Sequence, residues 1–340
     1  MTLADLPHEL ISHIANQLGS EKDILAFALL NRSFYTILVD FLYWHNVTYS
    51  SASALLWAAT HGQLATAQQA LSNGATVSVT GRHKNTPLHL AANAAQLQMV
   101  EFLLSLQGVD INCTNRHRET PILLAAKEGH EALVRLLLTQ PGIEPDVIDR
   151  PWHRHFSWWQ TPLAYAAMNG HASIVQALLD TGRVNVNYRD RQGRTPLSYA
   201  AGNGHLEVVR IMLTVAGIEV DGRCQSGNSP FYYAVSGNHE VVVRLLLDTA
   251  AGRPGPLNVS RITPLTLAVE HGNEVIVKLL LDKGWSPDVT DEWLNTPLDK
   301  AARLGNDRIF QMLKEKSQPF IPKRPLMRRR ARRESNKQIP

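Results

Sequence analysis

A threonine followed by proline and an aliphatic residue returns along this chain at nearly fixed intervals, and no other feature constrains the fold as much. The triplet begins at Thr86, Thr120, Thr161, Thr195, Thr263 and Thr296, with Ser229-Pro230-Phe231 as a variant, so successive starts lie 34, 41, 34, 34, 34 and 33 residues apart. The copy from Thr195 to Leu213, TPLSYAAGNGHLEVVRIML, shows what one unit can do. A threonine hydroxyl can accept from an orphan helix N–H, and proline at the next position gives up an N–H that would have no helical partner. Leu197, Ala200 and Ala201 then give a short helix a narrow apolar face, whose two alanines let another helix approach closely. Gly204 suits the left-handed residue after that helix. Val208, Val209, Ile211, Met212 and Leu213 make a second helix apolar on most sides, and therefore buried. Such a helix pair cannot bury its own face alone and needs neighbours, which is the condition for a stacked array.

A degenerate copy near Ser53, SALLWAATHG, lacks the proline and brings the copies to eight. A period near 33 with TPLxxAA resembles the ankyrin-repeat family, in which each unit is a turn plus two helices. The resemblance runs from about Ser51 to Lys316. The tetrad TPLH is complete only at Thr86-Pro87-Leu88-His89, and Gly-His follows the first helix at Gly129-His130, Gly170-His171 and Gly204-His205. The family implies an all-α solenoid with β-turn fingers between repeats. Such an array supplies a binding surface rather than a chemistry.

The first fifty residues are of another kind. Leu3, Leu6, Leu10, Ile11, Ile14 and Leu18 fall at helical spacing, Gly19 ends that helix, and Ser20 with Asp23 forms a capping-box pattern that opens a second helix from Ile24 to Leu30. A third apolar stretch runs from Phe34 to Trp44. Three short helices led by Leu-Pro resemble an F-box, on Leu6-Pro7, Glu9-Leu10-Ile11, Ile14, Leu18, Asp23-Ile24-Leu25, Asn31-Arg32, Phe34 and Trp44. That resemblance implies docking to a Skp1-type adaptor of a cullin–RING ubiquitin ligase, with Leu6, Pro7, Leu10, Ile11 and Ile14 as the apolar contact. The alternative is a bundle that caps the open end of the solenoid, and the two roles are compatible. His8 and His13 do not make a zincin pair: five residues on a helix set them about 140° apart, whereas metal binding needs one face. The domains expected are therefore an F-box-like module over 1–47, the array over 51–316, and a basic tail over 317–340.

The largest departure from the period lies between the third and fourth copies. The seven additional residues fall within 149–160, in an inter-repeat finger, and bring Trp152, Arg154, Phe156, Trp158 and Trp159 into one short loop. Tryptophan and arginine are enriched at interface hot spots, so these five are candidate partner anchors; alternatively some of the rings fold back and pin the loop. Other fingers carry Arg82-His83-Lys84, Arg116-His117-Arg118, and Arg189 with Arg191. Before the seventh copy, a Gly/Pro-rich stretch over 251–256 reads as a lengthened outer loop, with a blunted finger at 258–262.

The net charge of +4 is unevenly spread. Residues 314–340 carry ten Lys/Arg and two acidic groups, a net +8, and the rest has 24 basic against 28 acidic groups, a net −4. Within the tail, Lys323, Arg324, Arg328, Arg329, Arg330, Arg332 and Arg333 match a nuclear import signal; the alternative is a solvated tail. A mildly acidic body argues against a broad nucleic-acid surface. The two cysteines, Cys113 and Cys224, lie three copies apart and fit neither a disulfide nor a zinc site. The opening MTLADLPHEL has no secretory pattern and no run of about 18 apolar residues occurs, so the expectation is a protein of nucleus or cytoplasm. Walker A, dinucleotide and nucleophile-elbow motifs are absent from the sequence, and neither an enzyme nor a cofactor is expected. Two functions follow as expectations, beside a third reading as a plain scaffold with no degradation role. One is a substrate adaptor, with the ligase at the N-terminus and the substrate on the array. The other is a nuclear co-regulator of transcription, since F-box-plus-ankyrin chains resemble those numerous in filamentous fungi, some beside secondary-metabolite genes.

Overall fold

The computed structural model describes residues 8–18, 20–30, 32–49, 53–149, 159–255 and 258–317. Among them every regular element is helical. The chain opens with α1 (His8–Gln17), α2 (Glu21–Ala28) and α3 (Arg32–Tyr49). Ser20 caps α2 reciprocally: its hydroxyl accepts from the Asp23 N–H at 3.2 Å and donates to the Asp23 carboxylate at 2.6 Å. Ile11, Ala15, Ile24, Ala28, Phe34 and Leu38 fill a small core of their own.

The third helix is longer than the expected Phe34 to Trp44 and crosses the expected boundary at residue 47, because its C-terminal half packs on the array. Tyr43 lies against the array core. The Asn46 side chain is buried, donating to Ser53 Oγ at 2.6 Å and accepting the Ala54 N–H at 2.8 Å. It thereby satisfies an orphan N–H at the start of the next helix. Asp40 accepts from the Gln69 amide. The N-terminal module thus covers the apolar end of the repeats.

Eight helix pairs follow: α4 (Ser53–His61) with α5 (Leu64–Ser72), α6 (Pro87–Asn93) with α7 (Leu97–Leu104), α8 (Pro121–Glu128) with α9 (Glu131–Leu138), and α10 (Pro162–Asn169) with α11 (Ala172–Asp180). Then come α12 (Pro196–Gly202) with α13 (Leu206–Leu213), α14 (Pro230–Ser236) with α15 (Glu240–Leu247), α16 (Pro264–Glu270) with α17 (Glu274–Asp282), and α18 (Pro297–Leu304) with α19 (Asp307–Lys316). Each Thr of the repeated triplet, and Ser229, caps its helix by accepting the N–H three residues on. Each such cap is worth about 1 kcal/mol. Consecutive first helices pack side by side across fully buried pairs such as Ala91/Ala92, Ala125/Ala126, Ala166/Ala167 and Ala200/Ala201. Second helices bury a recurring triad: Leu133, Val134 and Leu137; Ile174, Val175 and Leu178; Val208, Val209 and Met212; Val242, Val243 and Leu246. Together these side chains form one continuous core along the array.

The histidines that follow the first helices, three in Gly-His pairs and His239 after Asn238, staple neighbouring repeats. The Nε2–H of His130, His171, His205 and His239 donates to the carbonyls of Asn93, Lys127, Met168 and Gly202 at 3.0, 3.3, 2.9 and 3.0 Å, each at the end of the preceding first helix. One expectation fails. The finger at 258–262 is not blunted: the Val259 N–H reaches the Ser226 carbonyl at 3.0 Å and Arg261 takes the left-handed conformation found in every other finger. Part of the Gly/Pro stretch instead tightens into a 3-10 turn, Ala250–Gly252, that packs inward. There the Trp285 indole donates to the Gly252 carbonyl at 3.1 Å and its ring stacks on Phe231.

Replacing Asn46 by Ala removes the acceptor of the half-buried Ala54 N–H, which costs about 1 kcal/mol or more. The expected outcome is a lower melting temperature, with amide exchange accelerated first in 53–61. Unchanged protection there would mean that the docked end does not hold the first repeat.

Candidate protein-interaction surface

The N-terminal module shows a division of apolar residues that periodicity alone does not reveal. Ile11 was expected on a docking face with its neighbours, but it is only 1% exposed and belongs to the core of the module. The reason is angular: Leu10 and Ile11 lie about 100° apart on the helix, and one faces Phe34 and Leu38 while the other faces out. Leu10 is 49% exposed and Ile14 half-buried. Leu6 and Pro7 lie outside the described residues. Leu25, Leu29 and Leu30 add to Leu10 a set of large aliphatic side chains left in water, Leu29 and Leu30 at 67% and 70%. The last two lie just past the end of α2 at Ala28, although the spacing predicts a helix running to Leu30.

The fingers share one register. The residue five before the Thr or Ser of the triplet donates its N–H to the carbonyl of the residue just before it: Gly81 to Asn85, Asn115 to Glu119, Asp190 to Arg194, Cys224 to Asn228, and Asp291 to Asn295, all within 2.9–3.1 Å. In the long finger the same pair is Asp149 and Gln160, at 3.1 Å. The base of the long finger is therefore closed as in the others. The residue two before the triplet is left-handed throughout, and in the long finger this is Trp159, at φ 54°. A bulky side chain in that conformation costs roughly 1–2 kcal/mol. Trp159 is also partly exposed. Trp152, Arg154, Phe156 and Trp158 lie outside the described residues, as do Lys323, Arg324, Arg328, Arg329, Arg330, Arg332 and Arg333.

On the inner face, the residue four after the start of each triplet forms a ladder: Leu90, Leu124, Tyr165, Tyr199, Tyr233, Leu267 and Lys300, with Trp57 at the equivalent place in the first copy. Each polar rung ties back to the first residue of its finger. Tyr165 O–H donates to Asp149 Oδ2 at 2.7 Å, Tyr199 O–H to Asp190 Oδ2, Tyr233 O–H to Cys224 Sγ at 3.3 Å, and Lys300 lies 3.2 Å from Asp291 Oδ2 while also pairing with Glu270. The other carboxylate oxygen folds the fingertip, Asp190 Oδ1 accepting the Gln192 and Arg194 N–H groups at 2.8 Å. Burial first, and then the neighbouring Asp149 or Asp190, holds the Tyr165 and Tyr199 phenols well above the ordinary range, so both remain donors. The Tyr233 phenol, also raised chiefly by burial, is pushed up to about 12. The Arg194 guanidinium lies over the Tyr199 and Tyr233 rings at 5.4 and 5.6 Å, beside a groove of about 270 Å³. Sequence reasoning missed this ladder. Its signal was an Asp five residues before Thr and a Tyr four after, at Asp190 and Tyr199.

Cys113 and His89 approach to 3.6 Å, but they do not form an activated pair. Burial pushes the Cys113 thiol up and the His89 imidazole below its ordinary 6.5, which keeps both neutral. His89 is structural: Nδ1 accepts from the Thr86 N–H at 3.3 Å and Nε2–H donates to the Glu119 carbonyl of the next finger at 2.9 Å. Among the described residues no cluster of three His, Cys, Asp or Glu could hold a metal, and no helix is long and apolar enough to cross a membrane. A larger cavity, about 760 Å³ between α15, α17 and α19, is rimmed by Arg244, Glu274, Lys278, Asp282 and Arg308. Its charges are largely satisfied within the fold, Arg244 by Glu240 and Arg308 by Glu274.

Comparison with known proteins agrees with this architecture. The family described as Ankyrin repeats (3 copies) matches residues 55–149, 151–224, 211–291 and 249–322, and that described as Ankyrin repeats (many copies) matches 122–179. The F-box-like family matches residues 3–50. The chain is similar to the crystal structure of the human ASB11 ankyrin repeat domain, at 25% identity over 69% of this chain and 100% of that one, with a TM-score of 0.58. No curated protein matches it.

The neutral, buried His89 makes a prediction with a definite sign. Its pKa is lower folded than unfolded, so the unfolded chain binds the extra proton and stability falls as pH drops below about 6.5. Thermal denaturation from pH 7.5 down to 5.5 is expected to show His89→Gln less stable at the upper end but with a shallower loss than wild type. Parallel curves would remove His89 as the source.

Proposed function

Because the chain belongs to the ankyrin-repeat family and carries an F-box-like domain before its repeats, two modules that are typically non-catalytic and bind proteins, we propose that it is a substrate adaptor of a cullin–RING ubiquitin ligase. The N-terminal module docks a Skp1-type adaptor and the array holds the protein to be ubiquitinated. The observation that carries this reading is the exposure of Leu10, Leu25, Leu29 and Leu30 on a module whose own core is already filled by Ile11, Ile24, Phe34 and Leu38. Fully burying one such leucine is worth roughly 1.5–3 kcal/mol, so these four, already part-buried, supply a favourable contribution that works against the cost of association. The long α3, shared between the module core and the first repeat, supports the reading mechanically. It joins the two binding halves through packed side chains rather than a free linker.

A second reading, a nuclear co-regulator of transcription, draws on the concentration of basic residues from Lys323 to Arg333 in a chain whose remainder is mildly acidic. It predicts that alanine at Arg328, Arg329, Arg330, Arg332 and Arg333 shifts a fluorescent fusion out of the nucleus. An unchanged nuclear fraction would count against it.

Binding of the purified full chain to a Skp1-type adaptor tests the first reading. Wild type is expected to bind, and Leu10→Ala/Leu29→Ala/Leu30→Ala to bind at least about 100-fold more weakly, on roughly 1 kcal/mol or more per truncated anchor, while keeping its melting temperature. A folded wild type that fails to bind would reduce the module to a cap for the array.

A further inference from the structure

The second and third fingers carry a concentration of charge that the fold does not use. Arg82, Lys84, Arg116 and Arg118 are all exposed, and among the described residues none makes an ion pair or a side-chain hydrogen bond. Cations on the other fingers are engaged. Arg189 pairs with Glu219 at 2.6 Å, Arg223 with Asp221 at 3.3 Å, and Arg194 lies between two tyrosine rings. The carboxylate nearest in sequence to the patch does not neutralise it, because Glu119 is held by Lys127 at 3.3 Å and by the Asn115 amide at 2.8 Å. The two fingertips are also locked together. The Arg116 N–H donates to the His83 carbonyl at 2.7 Å, and the His83 and His117 rings lie 5.3 Å apart. The four cations therefore stand on a fixed backbone, which lowers the ordering cost of binding an anion.

We propose that this two-finger patch is the docking site for an acidic segment of a protein partner, with phosphorylation of the segment strengthening the contact. Charge complementarity selects the occupant. The patch is cationic while the body outside 314–340 carries a net −4, so an acidic strand is attracted here and repelled by the rest of that body, whereas a long polyanion such as nucleic acid would meet the acidic body beyond the patch. Arginine favours carboxylate and phosphate because its planar fork can donate two parallel bonds. This inference deepens the reading of the array as the substrate-holding half and rests on it.

Fluorescence anisotropy with the full-length protein provides the test. The probes are a labelled peptide of alternating glutamate and serine, the same peptide phosphorylated on its serines, its glutamine counterpart, and a single-stranded oligonucleotide of matched charge. The glutamate peptide is expected to bind at about 50 mM salt and weaken at about 300 mM. The phosphorylated form should bind more tightly and the glutamine form not at all. Arg82→Glu/Arg116→Glu should weaken binding about tenfold or more, and Arg82→Gln/Arg116→Gln by less, on the scale of two lost surface charges; Arg189→Glu should have little effect. Absence of binding by both acidic peptides overturns the proposal. So does equal loss with Arg189→Glu, or an oligonucleotide that binds as tightly as the phosphorylated peptide. None of these measurements involves the Skp1-type adaptor, so their failure would leave the docking reading of the N-terminus intact.

Discussion

The stacking of one helix pair on the next, across buried alanines, is the constraint on which the rest of this molecule depends. Ala91/Ala92, Ala125/Ala126, Ala166/Ala167 and Ala200/Ala201 have no exposed surface, and larger residues there would force neighbouring helices apart. No pair is stable on its own, because its apolar face belongs equally to the pair that follows. The histidine staples and threonine caps act within this arrangement. They satisfy backbone groups that close packing would otherwise leave without partners, which is why they recur at the same place in successive copies.

A core that is satisfied in this way leaves two kinds of position free to vary. One is the inner-face rung, which changes from leucine to tyrosine to lysine along the array without altering the backbone. The other is the fingertip, which reads Arg-His-Lys near one end and Glu-Trp-Leu near the other, with Trp293 and Leu294 well exposed. Even the insertion at 150–159 obeys the rule, since the Asp149–Gln160 pair closes its base as the five-residue fingers close theirs. The exposed fingertips can therefore be rewritten copy by copy at little cost to stability, whereas a rung tied to a buried carboxylate, such as Tyr199 to Asp190, changes only together with its partner. The N-terminal module follows the same economy. One face of α3 completes the module core and its C-terminal half closes the array, while the leucines that neither role requires stay in water.

Some errors of sequence reasoning have a common cause. Leu10 and Ile11 looked equivalent because both are aliphatic neighbours on one amphipathic helix, yet only packing against Phe34 and Leu38 decides which is core. The Gly/Pro stretch near 251–256 suggested a distorted finger because composition shows where a chain can turn but not what it turns against; the Trp285 indole, which holds the Gly252 carbonyl, comes from the next copy, 33 residues away. The tyrosine ladder went unseen because its partners lie nine to sixteen residues away in sequence, across a turn of variable length.

What the sequence determined by itself is what the period carries: eight helix pairs, their caps, the paired alanines and most of the apolar residues of the array core, and the presence of a different three-helix unit in front. Those features depend on local spacing, and spacing is written along the chain. What only the tertiary structure decided is which of the remaining side chains face water, which pair with one another, and which are left as unmatched charge. Arg82 and Arg189 are indistinguishable as fingertip arginines in the sequence, and they part company because Glu219 of the next repeat reaches one and no carboxylate among the described residues reaches the other. Exposure and charge balance are set by neighbours about 30 residues away, and only folding brings those neighbours together.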